Sequence, residues 1–139
     1  MDYEIRLMKD MDIPSARELW QQLPGIYLSS VDEPHQLQDF LHKNPTTCFV
    51  AVFDKQLIGT VLGGNDGRRG FIYHLAVLPE FQKQRIGKIL TETCLNALRT
   101  IGIQKCHIFV LSENTEGLKF WQMTGWHLRK DILTLSKDL

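Results

Sequence analysis

The sequence predicts an α+β domain, with a mixed and mostly antiparallel sheet of six to seven strands flanked by about four helices. Three observations predict it. Short runs alternate apolar and polar residues at period two, while other stretches repeat apolar residues at helical spacing. Three strand-like runs follow one another through tight turns, which makes an antiparallel meander. A long amphipathic helix then separates the third of these from the next strand, and such a crossover makes the two flanking strands parallel neighbours.

Taken in order, residues 3 to 8 set Tyr3, Ile5 and Leu7 against Glu4, Arg6 and Met8, a half-buried first strand. Asp12 before Pro14 starts a helix whose Ile13, Ala16, Trp20 and Leu23 share one face until Pro24-Gly25 stops it. Ile26 to Glu33 has no period and reads as a loop, and Pro34 opens a second helix carrying Leu37, Phe40 and Leu41. The meander is CFVAVF, a turn at Asp54-Lys55, QLIGTVLGG, a turn around Asn65-Asp66-Gly67, and GFIYHLAVL. After Pro79, Ile86, Ile89, Leu90, Ala97, Leu98 and Ile101 mark the long helix, which Gly102 caps. KCHIFVL reads as a buried strand, Asn114 N-caps a helix through Met123 that Gly125 ends, and Leu128 to Leu135 reads as one or two closing strands.

The 139 residues, 43% of them hydrophobic, suit one core and a single domain over residues 1–139. Sixteen basic residues cancel sixteen acidic ones, so no global field favours nucleic acid or an anionic membrane, and neither is an expected partner. Cys48, Cys94 and Cys106 are an odd set within apolar stretches, which fits reduced thiols and a cytoplasmic location. The N-terminus MDYEIRLMKD has no apolar leader region, and no run approaches the ~18 apolar residues of a membrane span.

Chemistry concentrates in LAVLPEFQKQRIGKIL, residues 75 to 90, where a strand passes through a tight loop into the long helix. The unpaired N–H groups and positive dipole end of a helix N-terminus form an anion site that suits a pyrophosphate. Gly87 permits close backbone approach there, and Lys83, Arg85 and Lys88 add positive charge. Other patterns fail their own requirements. The Gly87-Lys88 pair lacks the following Ser or Thr of a P-loop. Glycines 63, 64, 67 and 70 surround a hairpin turn and do not open a helix, and Arg68 and Arg69 read as solvated turn residues. His35, His42, His74, His107 and His127 are scattered without ligand spacing, so no metal is expected.

The run Gln82-Lys83-Gln84-Arg85-Ile86-Gly87 resembles the phosphate-binding motif of the GNAT superfamily of acetyl-CoA-dependent N-acetyltransferases, Q/R-x-x-G-x-G/A. It matches at Gln82 and Gly87, whereas Arg85 stands at the first glycine position. That requires either a negative φ at residue 85 or the cost of a side chain in glycine's conformation. ENTEGLKFWQMTGW resembles a second segment of the family, matching at Asn114, Phe120 and Gly125, with Gly117, Trp121 and Trp126 as variants. The resemblance implies a three-layer fold with a splayed parallel strand pair at the cofactor site. It implies acetyl-CoA as acyl donor, its pyrophosphate on the loop from Gln82 to Lys88 and its pantetheine along Leu75, Ala76 and Val77. Asn114, Gly117, Phe120 and Trp121 complete the implied cofactor residues.

What the resemblance implies for function is transfer of acetyl from acetyl-CoA to an amine by direct attack, with the oxyanion met by a backbone N–H near Val77. Relatives place at residue 121 a tyrosine that protonates the departing thiolate; tryptophan has no such acid, so water or Tyr73 supplies the proton. The ammonium proton must also leave. Strand parity puts Phe71, Tyr73, Leu75 and Val77 on one face and Ile72, His74 and Ala76 on the other, so a water relay near Tyr73 is expected and His74 reads as structural. Tyr27, Asp32 and Glu33 are the candidates to receive the acceptor, a small-molecule or peptide amine whose identity stays open. The alternative is a catalytically silent acyl-CoA sensor, which the absent tyrosine and the absent carboxylate both favour. DILTLS is a segment able to pair across a two-fold axis in a homodimer.

Overall fold

A computed structural model describes residues 2–139 and divides into two compact units, one ending at Phe109 and the other Val110–Leu139. In the first, β1 (Glu4–Leu7) leads through a 3-10 turn at Asp10–Asp12 into α1 (Ile13–Gln21), and a second 3-10 turn at Ser30–Asp32 precedes α2 (Pro34–Lys43). The meander is β2 (Phe49–Phe53), β3 (Gln56–Asn65) and β4 (Gly70–Val77); a turn at Pro79–Phe81 leads to α3 (Ile86–Thr100) and then β5 (Cys106–Ile108). The second unit holds α4, Thr115–Met123. Among the described residues no helix is long and apolar enough to cross a membrane.

The sheet order is β1-β2-β3-β4-β5, antiparallel except for β4 with β5, as the crossover through α3 requires. Asp54 and Lys55, the two central residues of the β2–β3 hairpin, have φ of 49° and 66°, the positive values a two-residue turn needs to match strand twist. The sheet has five strands among the described residues and not six to seven. Leu128 to Leu135 forms no ladder: Leu128, Ile132, Leu133 and Leu135 are 51%, 55%, 86% and 95% exposed. Alternation makes a segment capable of a half-buried strand, but only backbone partners make it one. The strand expected over KCHIFVL shrinks to three residues for the same reason, because its pairing with β4 covers only Gly70 to Ile72.

Within the first unit the layers are three. α3 packs on β2, β3 and β4 from one side, α1 packs on β3 and β4 from the other, and α2 lies against α1. The buried residues of α3, Ile86, Leu90, Thr91, Cys94 and Leu98, form one stripe, and those of α1 are Ile13, Ala16, Leu19 and Trp20. α3 approaches β3 so closely that a Cβ on Gly63 would stand 2.5 Å from both Cys94 Sγ and Thr47 O. The start of α1 is tied to β1 by Arg6, whose Nη1 and Nη2 donate to the two Asp12 carboxylate oxygens at 2.8 Å each.

β4 carries an irregularity that reorganises the site. Leu62 pairs with Tyr73 but Thr60 with Ala76, so Val61 alone faces the two residues His74 and Leu75, and His74 has φ of 47°. This bulge is pinned from the opposite strand. Trp20 Nε1 donates to Thr60 Oγ1 at 2.8 Å, and Thr60 Oγ1 donates to the His74 carbonyl at 2.8 Å. Trp20 and Thr60 are fully buried, so water cannot replace either partner. Replacing Thr60 with Val is expected to cost about 2 kcal/mol by orphaning both groups. Urea denaturation would show a lower midpoint at unchanged slope.

Candidate active site

The loop between β4 and α3 is built on two left-handed residues. Lys83 has φ of 62° and Arg85 φ of 70°, so the side chain at the motif's first glycine position does adopt glycine's conformation. For an L-residue that costs roughly 1–2 kcal/mol. The first α3 hydrogen bond runs from Ile89 N–H to Arg85 O at 3.0 Å, which leaves the N–H groups of Ile86, Gly87 and Lys88 without intrahelical acceptors. Gln82, Lys83, Gln84 and Arg85 are exposed, Gly87 and Lys88 half-buried. Ile86 is 1% exposed, so only its backbone can serve a ligand. The chemistry of this place, three convergent amides with three basic side chains on the same loop, fits a pyrophosphate.

The end of β4 lies beside that loop. Leu78 N–H donates to Ile58 O at 2.9 Å, which makes 58–78 a hydrogen-bonded pair and Gly59–Val77 the intervening non-bonded one. The N–H and C=O of Val77 therefore point away from β3, to the side on which β5 pairs but past the end of that ladder at Ile72–Ile108. Gln82 Nε2 donates to the Val77 carbonyl at 3.0 Å. Gln82 thus ties loop to strand, while the Val77 N–H points away from β3 past the end of the β5 ladder. Leu75 is half-buried and Ala76 buried, so Ala76 offers backbone alone.

Tyr73, 39% exposed, stands in an aromatic row: its ring stacks on Phe71 at 6.4 Å and meets Phe40 of α2 edge-on at 6.2 Å, and Phe71 stacks on Phe109 at 6.2 Å. Burial pushes the Tyr73 phenol above its ordinary value, so it stays protonated at neutral pH.

Strand parity misplaces His74. The bulge rotates it onto the α1 face, the face of Tyr73, where Nε2 lies 2.8 Å from Asp32 Oδ1 and the ring sits 4.5 Å from that of Trp20. The same rotation sends Val77 to the α3 face with Gly59, whose Cβ would meet Leu90, and Ala76 to the α1 face with Thr60. Asp32 likewise is no exposed loop acid: it is 4% exposed, accepts from Ser29 N–H at 3.0 Å and faces His74. Tyr27 is 65% exposed, and Glu33 lies 3.9 Å from Arg17 Nη2. Sequence reasoning missed Trp20 and Thr60 as supports of the site. No local signal marks them, because a bulge at a histidine leaves no glycine behind.

In the second unit Asn114 Oδ1 accepts from Gly117 N–H at 2.9 Å, and a Cβ on Gly117 would stand 2.5 Å from Asn114 Nδ2, so the cap itself requires that glycine. Trp121 meets Phe120 and Trp126 edge-on at 5.1 and 5.2 Å. Gly125, at φ 101°, closes α4 with Trp126 N–H on Trp121 O at 3.0 Å. Burial pushes the Cys48 and Cys106 thiols up to about 11 and that of Cys94 higher still, so none is a ready thiolate at neutral pH.

Comparison with known proteins adds three findings. The profile of the Acetyltransferase (GNAT) family matches residues 9–126. An acetyltransferase of Pectobacterium atrosepticum is 28% identical over 137 residues, 98% of this chain and 95% of that protein. Among solved structures, the PaiA N-acetyltransferase of Thermoplasma acidophilum in complex with coenzyme A superposes with a TM-score of 0.79 at 22% identity, covering 93% of this chain and 92% of that one. An aminoglycoside N-acetyltransferase in complex with CoA does so with a TM-score of 0.79 at 21% identity, covering 99% and 96%. At such identities the structural likeness establishes the fold.

Arg85→Gly removes the left-handed strain at a small cost in unfolded-chain entropy, and a net gain of about 0.5–1 kcal/mol is expected. A rise in the thermal midpoint would show it.

Proposed function

Because the chain belongs to the Acetyltransferase (GNAT) family, we propose that it transfers an acetyl group from acetyl-CoA to a primary amine by direct attack of the amine on the thioester. The observation that carries this reading is the pairing of three free amides at the α3 N-terminus with an outward Val77 N–H that Gln82 fixes in place. Coenzyme A in two structural neighbours supports the choice of donor.

The residues divide the task between them. Ile86, Gly87 and Lys88 present amides to the pyrophosphate, with the charges of Lys83, Arg85 and Lys88 around it. Leu75, Ala76 and Val77 offer backbone groups to the pantetheine arm, and the Val77 N–H meets the acyl oxygen where negative charge develops. Tyr73, held protonated by its surroundings, donates to the departing sulfur. Direct transfer agrees with the state of the cysteines, none of which is activated to carry an acyl group. The acceptor is a small-molecule or peptide amine. Asp32 is engaged with His74 and does not receive it as a free carboxylate, whereas Tyr27 and Glu33 stay exposed. A catalytically silent acyl-CoA sensor is the alternative reading.

Calorimetric titration with acetyl-CoA tests the donor site. Wild-type protein is expected to bind, and Gly87→Glu, whose carboxylate would take the phosphate's place at the helix N-terminus, to bind at least about tenfold more weakly, a change of ~1.4 kcal/mol. The added glutamate suits a helix N-terminus, so its effect is not one of unfolding. A wild type that does not bind would overturn the reading. Tyr73→Phe separates enzyme from sensor: acetyl-CoA affinity is expected to hold while thiol release in the presence of an amine panel falls by roughly 100-fold. An unchanged rate would remove Tyr73 from the mechanism.

A further inference from the structure

We propose that His74, oriented by Asp32, is the base that takes the proton from the acceptor ammonium. The proposal rests on the acetyl-transfer reading and assigns a group that reading lacks. His74 occupies a left-handed backbone position at φ 47°, uncommon for a residue other than glycine. Three contacts impose it: its carbonyl accepts from Thr60 Oγ1, its Nε2 bonds Asp32 at 2.8 Å, and its ring lies tilted against Trp20 at 4.5 Å.

The bonding fixes the ring's chemistry. An ionised Asp32 can only accept, so in the neutral ring Nε2 carries the hydrogen and Nδ1 the lone pair. Nδ1 bonds no described residue and is absent from the buried unpaired polar atoms, so solvent reaches it; the side chain as a whole is 16% exposed. Asp32 stands on the Nε2 side of the ring and the indole of Trp20 lies tilted beside it. The titratable residues on the elements packed against the ring are Asp32 in the turn, Arg17 and Glu18 in α1, and Tyr73 beside it in β4; β3 has none. Asp32 is the carboxylate in contact. The bulge puts this base and the proton donor Tyr73 on one strand face, at adjacent residues.

The step balances. One ammonium N–H bond breaks, its electron pair stays on nitrogen and its proton goes to Nδ1. The nitrogen pair then bonds the acyl carbon, the C–S bond breaks with its pair on sulfur, and sulfur takes a proton from Tyr73 or water. The nitrogen sheds a second proton as the amide forms, which balances the one that sulfur gains, and the imidazolium returns its proton to water.

The test compares two probe acceptors in the full-length protein. Benzylamine is charged at neutral pH and needs a base, whereas hydroxylamine is largely uncharged and does not. His74→Asn is expected to lower transfer to benzylamine roughly 100-fold more than transfer to hydroxylamine, within the range of general-base contributions. Equal losses with both would overturn the proposal, and so would a wild type active on hydroxylamine but on no charged amine. Nitrogen-15 spectra of the histidine-labelled wild type give a readout that depends on neither activity nor the variant's folding. They should show the neutral His74 ring as the Nε2–H tautomer, and an Nδ1–H tautomer would overturn the assignment. Failure of the wild type with both probes, together with no acetyl-CoA binding, would instead sink the acetyl-transfer reading.

Discussion

One hydrogen-bond relay, from Trp20 Nε1 to Thr60 Oγ1 and on to the His74 carbonyl, holds the bulge on which the site is built. Trp20 and Thr60 lie where water cannot substitute, so breaking the relay leaves the buried indole N–H unpaired. The relay draws one residue from α1, one from β3 and one from β4. It therefore couples the helix layer to the strand that carries the chemistry. With the bulge in place, His74 and Tyr73 face the same way and Val77 turns its side chain towards α3. In a regular strand those three would be sorted differently, and the pairing of His74 with Asp32 could not form.

Strain is concentrated at the places where function is assigned. Among the described residues, His74, Lys83 and Arg85 are three of the five non-glycine residues with positive φ, and the other two form the β2–β3 hairpin turn where such values are the norm. Each of the three spends roughly 1–2 kcal/mol of backbone energy. At His74 the surrounding contacts offset that cost and leave the ring aimed. At Lys83 and Arg85 the return is local: the loop turns sharply enough to bring Gln82 back onto the Val77 carbonyl and to leave the first α3 amides uncovered. An arginine in place of the family's glycine keeps the backbone shape and adds a charge beside the anion site.

The split between the face of α3 and the face of α1 also divides labour. α3 meets glycines on β3, which lets its axis and hence its N-terminus come close to the strand ends. α1 and the Ser30–Asp32 turn bring polar groups, Trp20 Nε1 and the Asp32 carboxylate, to the opposite face. The α3 face thus depends on close packing with no side chain between helix and sheet. The α1 face depends on long-range polar contacts, 40 residues apart for Trp20 and Thr60 and 42 for Asp32 and His74.

Local patterns were enough for the element order, the meander, the parallel crossover, the Asn114 cap and the start of the long helix, because each rests on periodicity or on interactions within a few residues. They also marked Gln82 and Gly87, and with them the family. They failed where a residue's state is decided by a distant partner. Leu128 to Leu135 alternates as a strand should and forms none, and β5 is only as long as its pairing with β4. Parity puts His74 on the wrong face because it assumes an unbroken ladder, and the engagement of Asp32, an expected acceptor residue, is invisible locally because its partner lies 42 residues on. Sequence by itself determined which segments can be helices or strands and where the long helix begins; tertiary structure alone decided which side chains meet, since a bulge and the hydrogen bond between Asp32 and His74 exist only when two remote segments satisfy each other's polar groups.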